Sequence, residues 1–248
     1  MTGPATNSIV SRPLAELLAE GRSWTLKERL VLARRLALAI QALHSQGRTH
    51  RALDAATVTI DEQLRPQLGL PAGPRRFGAD QSNPEFCPPE LALDTAIELP
   101  AEIEAATAIL RQQGLAIDPR RVDVYQFGVL LCQLLTGESL LSYRYSTTVK
   151  AKVAPMARVV LDRCLGEGAA VPLSDCEGLI EALEGLIRQC ADELPPSIRE
   201  TPGHASGVPI LAETPTAMMA RESHGIGVSQ VPVGTAAKRA ATRVVKRG

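Results

Sequence analysis

The stretch "HSQGRTHRALDAATVTID" occupies residues 44–61. Upstream of it, "TLKERLVLARRLALAIQALHSQG" reads as a long helix. Thr25 and Glu28 have capping-box spacing, Leu26, Leu30, Ala33, Leu36, Ile40 and Leu43 form an apolar stripe, and Gly47 marks the exit. Downstream, "ATVTID" alternates as a short strand does, and "EQLRPQLGL" suits its antiparallel partner. Between helix and strand lies a loop with an adjacent histidine and arginine, His50 and Arg51, followed by Ala52. The loop either performs chemistry or holds a fold, and the rest of the chain has to decide which.

Working outward, "SRPLAELLAEG" predicts a short helix with Pro13 in its first turn and Gly21 at its exit. Residues 71–89 are rich in Gly, Pro and Arg and predict a loop, with Arg75 and Arg76 read first as solvated and second as a phosphate-reading pair. "PAEIEAATAILRQQG" predicts a helix from Pro100, with Gly114 at its exit. "RVDVYQFGVLLCQLLTG" is apolar nearly all round, which marks a helix buried at the centre of a domain. "APMARVVLDRCLG" and "SDCEGLIEALEGLIRQCADEL" are amphipathic helices. The expected fold class is therefore mainly α, a helical bundle around a buried central helix with one short β-hairpin. Residues 193–248 lack periodicity and are rich in Pro, Gly and Ser, so a disordered tail is expected there.

Twenty-seven acids balance twenty-seven bases, so no global field points to nucleic acid or to anionic membranes. The basic end "AAKRAATRVVKRG" reads as a solvated tail first, and as a contact for nucleic acid or anionic lipid second. Five widely spaced cysteines, none in CxxC spacing, predict reduced thiols and a cytoplasmic protein. No metal site is expected, since two of the four histidines fall in the tail. The N-terminus shows no apolar signal region, and the longest apolar run, "FGVLLCQLL", is too short to span a bilayer.

Long helix, His-Arg loop, hairpin, irregular segment, Pro-Pro-Glu and a buried helix opening with Asp follow in order. In "LALAIQALHSQGRTHRALDAATVTID", "SNPEFCPPELAL" and "RVDVYQFGVLLCQLLTGESL" this order resembles the C-terminal lobe of protein kinases, most of all the bacterial serine/threonine kinases. The resemblance makes residues 11–192 a protein-kinase-like lobe. In such a lobe the pattern H-R-D-L-x-x-x-N supplies a base and a magnesium ligand. Here it reads His50, Arg51, Ala52, Leu53, with Thr57 at the Asn position. Alanine accepts no proton, and a hydroxyl replaces the amide poorly. Asp54 stands where the family's loop lysine would be. Residues 63–79 hold no Asp or Glu, so no alignment of a D-F-G motif supplies its carboxylate. No G-x-G-x-x-G precedes the long helix, and the first lysine, Lys27, lies inside it.

The resemblance further implies that Asp123, His50 and Glu90 are structural anchors. Asp123 would accept hydrogen bonds from the loop backbone, and His50 would pack inside the lobe. The arginine that pairs with Glu90 in the family is missing from "GEGAAVPLSD", so Glu90 is expected in solvent or in another pair. Ser82 is a possible phosphosite facing Arg51, with an unmodified loop as the plainer expectation. The expected function is a catalytically inactive, pseudokinase-like module acting as a binding or regulatory scaffold in signalling. The alternative is a serine/threonine protein kinase present as a truncated or N-lobe-less chain. No cofactor is expected, with weak Mg·ATP binding left open. Thr59 falls where the family carries a floor residue under adenine, and an uncovered floor suggests a protein partner or self-association. The helix from Pro100 is read evenly as a docking element or as a neutral insertion.

Overall fold

The computed structural model describes residues 11–21, 23–79, 83–168, 171–190 and 198. The chain begins with a two-residue strand, β1 (Arg12–Pro13), and a short helix, α1 (Leu14–Ala19). The long helix α2 (Leu26–Ser45) follows, and then the hairpin β2 (Val58–Ile60) and β3 (Pro66–Leu68). Next come β4 (Arg75–Phe77), two 3-10 turns (Pro84–Phe86 and Pro89–Leu91), β5 (Ile97–Leu99) and α3 (Ile103–Gln112). The remainder is helical: α4 (Arg120–Thr136), α5 (Leu140–Tyr145), α6 (Thr147–Ala151), α7 (Pro155–Leu165) and α8 (Glu177–Gln189). The architecture is mainly helical with two small antiparallel sheets, ordered β1-β2-β3 and β4-β5.

Helix α2 starts at a complete capping box. The Thr25 hydroxyl accepts the Glu28 N–H at 3.2 Å, and the Thr25 N–H donates to Glu28 Oε2 at 2.7 Å. Its stripe is buried at Leu30, Ala33, Leu36, Ile40 and Leu43, while Leu26 lies at the rim. Helix α8 runs antiparallel along it, as the contacts Lys27 to Cys190, Arg34 to Glu184 and His44 to Cys176 show. Helix α4 occupies the centre, with every residue from Arg121 to Cys132 buried. It approaches α7 closely at Gly128, where a Cβ would stand 2.8 Å from Cys164 Cβ. Gly137, in the left-handed region at φ 74, ends α4.

The structure departs from the sequence expectation at several elements. Pro13 sits just before α1 and joins the sheet, where Arg12 and Pro13 pair with Ile60 and Thr59 of β2. The loop expected over residues 71–89 contains β4, which pairs with β5 in the register Arg75–Leu99, Arg76–Glu98 and Phe77–Ile97. The two arginines are exposed, as expected, but on a strand. Helix α3 begins at Ile103 and not at Pro100. Helices α5 and α6 were not predicted, although the hydroxyls of Ser139 and Ser146 cap them. Within the stretch expected to be tail, Ile198 is buried against the main core, and Arg35 Nη2 donates to its carbonyl at 3.1 Å. Packing thus extends past residue 192. The rest of residues 193–248, including the basic end, lies outside the described residues.

Candidate functional site

The site is built on one buried carboxylate. Asp123, in the first turn of α4, has no solvent exposure. Its Oδ2 accepts the His50 backbone N–H at 2.7 Å, and its Oδ1 accepts the Arg51 N–H at 2.6 Å. His44, in the last turn of α2, places Nε2 at 2.8 Å from Oδ2. Burial by itself pushes the Asp123 carboxyl up. The His44 hydrogen bond and charge, the nearby His50 and the Arg51 amide outweigh it and hold the group below the usual carboxylate range. Three residues along α4, Gln126 completes the anchor. Its Oε1 accepts the Leu53 N–H at 2.9 Å, and its amide donates to the carbonyls of Arg51 at 3.1 Å and Phe86 at 3.2 Å. One face of α4 therefore holds the loop backbone from His50 to Leu53.

His50 lies fully buried. Its Nε2–H donates to the Gly69 carbonyl at 3.0 Å, and its Nδ1 accepts the Ala52 N–H at 3.3 Å. That pairing fixes the neutral Nε2–H tautomer. Burial, only partly offset by Asp123, pulls its pKa below the ordinary histidine value. Arg51 adopts φ 64, a conformation unusual for a side chain with a Cβ, which costs about 1–3 kcal/mol. The two backbone hydrogen bonds to Asp123 are placed to offset it. Its guanidinium is also buried and donates to main-chain carbonyls: Nε to Thr49 at 3.1 Å, and Nη1 to Leu99 at 2.9 Å and Gly73 at 3.1 Å.

Ala52 is buried and carries no side-chain polar atom. Asp54 and Thr57 close the turn between them. Asp54 Oδ1 accepts the N–H groups of Ala56 at 2.8 Å and Thr57 at 2.9 Å. The Thr57 hydroxyl accepts the Asp54 N–H at 3.0 Å and shares its own proton between the carbonyls of Ala52 and Asp54. These groups shape a turn. The Thr59 hydroxyl, on β2, is buried and lacks a hydrogen-bond partner among the described residues. Among those residues no group of three or more His, Cys, Asp and Glu could hold a metal ion. Cys176, His44 and Asp123 follow one another in the order of a cysteine nucleophile and its base, with the sulfur 4.0 Å from His44 Nδ1. The thiol is buried, and burial raises its pKa well above the ordinary value, so the three act as a packing unit.

Glu90 is partly exposed and meets an arginine after all. Arg121 of α4 brings Nε to 3.6 Å from its carboxylate. The same guanidinium donates through Nη1 to the Cys164 carbonyl at the end of α7 and lies over the Tyr125 ring at 5.8 Å. Expecting that partner only downstream overlooked a cation from the start of the central helix. Ser82 lies outside the described residues. The structure brings His50, Arg51, Ala52, Thr57 and Asp123 together and leaves Glu90 in a separate cluster with Arg121. Sequence reasoning missed His44 and Gln126. The signal for His44 was its position four residues after Ile40, on the buried side of α2.

No family model matches the chain. Among curated proteins it is similar to a serine/threonine-protein kinase-like protein of Arabidopsis thaliana, 26% identical over 194 residues. The match covers 75% of this chain and 49% of that relative, so the chain spans about half of the relative's length. The relationship is kinase-like, and its reach is that of a partial match.

Proposed function

We propose that this chain is a protein-kinase-like lobe without phosphotransfer chemistry, whose His-Arg loop is kept as a structural fixture of a binding or regulatory scaffold. The observation that carries the reading is the division of labour within the loop. The groups that hold its backbone are present and satisfied: Asp123 on His50 and Arg51, Gln126 on Leu53. The positions that would do chemistry hold a buried alanine, Ala52, and a hydroxyl engaged in the local turn, Thr57. Phosphoryl transfer depends on positioned acids and metal ions acting as a unit, and loss of one member removes most of the rate. Asp54 is the acid nearest to replacing the base, but one of its oxygens already accepts two N–H groups of its own turn. Neither a nucleotide nor a metal is part of this reading. Its partner is a protein, met through the lobe surface.

The test is phosphoryl transfer from Mg·ATP to the chain itself and to generic protein substrates. No incorporation is expected. Incorporation that Asp54→Asn abolishes would sink the reading. A second reading, a serine/threonine kinase working with further polypeptide, is favoured by one observation: half of the matched relative lies outside the match. Adding a small kinase lobe in trans distinguishes the two, because only the second reading gains activity.

A further inference from the structure

Residues from β4 to the start of α4 build a separate small core. Phe77 of β4, Cys87 between the 3-10 turns, Leu91 of the second turn, Ile97 and Leu99 of β5, Ala106 and Leu110 of α3, and Val122 of α4 pack together, apart from the main core. The junction of β5 and α3 is then stitched to the His-Arg loop. The Thr49 N–H donates to the Ala101 carbonyl at 2.7 Å, and the Ile103 N–H donates to the Gly47 carbonyl at 2.8 Å. Arg51 adds a third tie through the Leu99 carbonyl at 2.9 Å. Gly78, at φ 94, lets the chain after β4 pass against the approach to β5. A Cβ there would stand 2.7 Å from the Thr95 carbonyl oxygen and 3.1 Å from that of Leu93.

We infer that β5 and α3 form a built-in clamp, which fastens β4 and the 3-10 turns to the His-Arg loop in one conformation. Main-chain oxygens, one of them from the clamp at Leu99, serve Arg51 in place of an external anion. A buried cation needs acceptors, and Thr49, Gly73 and Leu99 provide them from three different segments. Because β5 fills one edge of β4, an extended peptide cannot add there. The inference rests on the kinase-like reading of the loop, in which the segment after the hairpin is the one a phosphate would otherwise order. In this chain, the order of β4 and the two 3-10 turns is independent of phosphate.

Amide hydrogen exchange on the full chain tests it, comparing wild type with Gly78→Ala and Arg51→Gln. In wild type the amides of Thr49, Ile103 and the β4–β5 ribbon exchange at least about 100-fold more slowly than in an unstructured peptide. Each variant lowers that protection by about tenfold or more, while α2 and α4 keep theirs. Saturating inorganic phosphate leaves the wild-type pattern unchanged. Ribbon amides exchanging at unstructured rates in wild type, or ribbon protection untouched in both variants, would overturn the clamp. So would a phosphate-dependent gain in protection around Arg51. If Arg51→Gln does not fold, Gly78→Ala still decides, since it alters no partner of that guanidinium. Intact protection alongside phosphoryl transfer would sink the functional reading and leave the clamp standing.

Discussion

Asp123 is fully buried and faces three donors, so its removal is costly in a specific way. Asp123→Ala leaves the N–H groups of His50 and Arg51 buried without acceptors and should cost about 3–5 kcal/mol in urea unfolding. A loss under about 1 kcal/mol would mean that water takes over both amides. Two titrations bear on the same cluster and fall in different pH ranges. The folded-state pKa of Asp123 is depressed, so its contribution is complete above the unfolded value of about 3.9 and is lost as pH falls through the folded value. The folded pKa of His50 is also depressed. Below about pH 6.5 the unfolded chain takes up a proton that the buried ring resists, so stability declines as pH falls from there. His50→Gln should flatten that upper decline and leave the acid limb in place. An upper limb unchanged by the substitution would assign the titration elsewhere. Asp123 was legible in the sequence only through the resemblance, which puts an acid at the opening of the buried helix. Gln126 was not, because a glutamine among apolar neighbours carries no sign of which backbone groups it will meet.

Periodicity reveals elements long enough to repeat. Helix α2 could be read because its stripe recurs over twenty residues and its cap has a local signature. Helix α4 was legible by its lack of a polar face. The ribbon of β4 and β5 was not, since each strand has three residues and β4 is Arg-Arg-Phe, with no alternation to detect. Its pairing arises from the small core that Phe77, Ile97 and Leu99 share with α3, which is tertiary information. The contact of α4 with α7 allows an element-level prediction. Gly128→Ala gains about 1 kcal/mol of helix propensity. It also drives a Cβ to 2.8 Å from Cys164 Cβ, an atom next to backbone that cannot swing aside. Net destabilisation of about 1–2 kcal/mol is expected in chemical unfolding. A more stable variant would show that the two helices can separate without loss.

At the scale of the whole chain, the cysteines report on packing. Cys87, Cys132, Cys164 and Cys176 are buried, and Cys190 is half-buried at the end of α8. Burial pushes the thiols of Cys132 and Cys164 up to about 12. A thiol reagent near pH 8 should therefore modify Cys190 first in the native protein, and all five only in denaturant. Rapid native labelling of two or more would contradict the described core. No helix among the described residues is long and apolar enough to cross a membrane. The proposed function rests on order alone: His50-Arg51, Pro88-Pro89-Glu90 and Asp123 carry the resemblance as a series, and none does alone.

A lobe that kept its framework and left nucleotide chemistry behind should melt cooperatively and indifferently to nucleotide. The direct measurement is a thermal melt of the purified chain with and without millimolar Mg·ATP. A ligand at about 100 times its Kd would stabilise the folded state by about 2.7 kcal/mol, a shift of about 5–10 °C for a chain of this size. The expected result is one cooperative transition at an unchanged Tm. A magnesium-dependent rise of several degrees would contradict it, and would place a nucleotide site beside Ala52 and Thr57 despite their side chains.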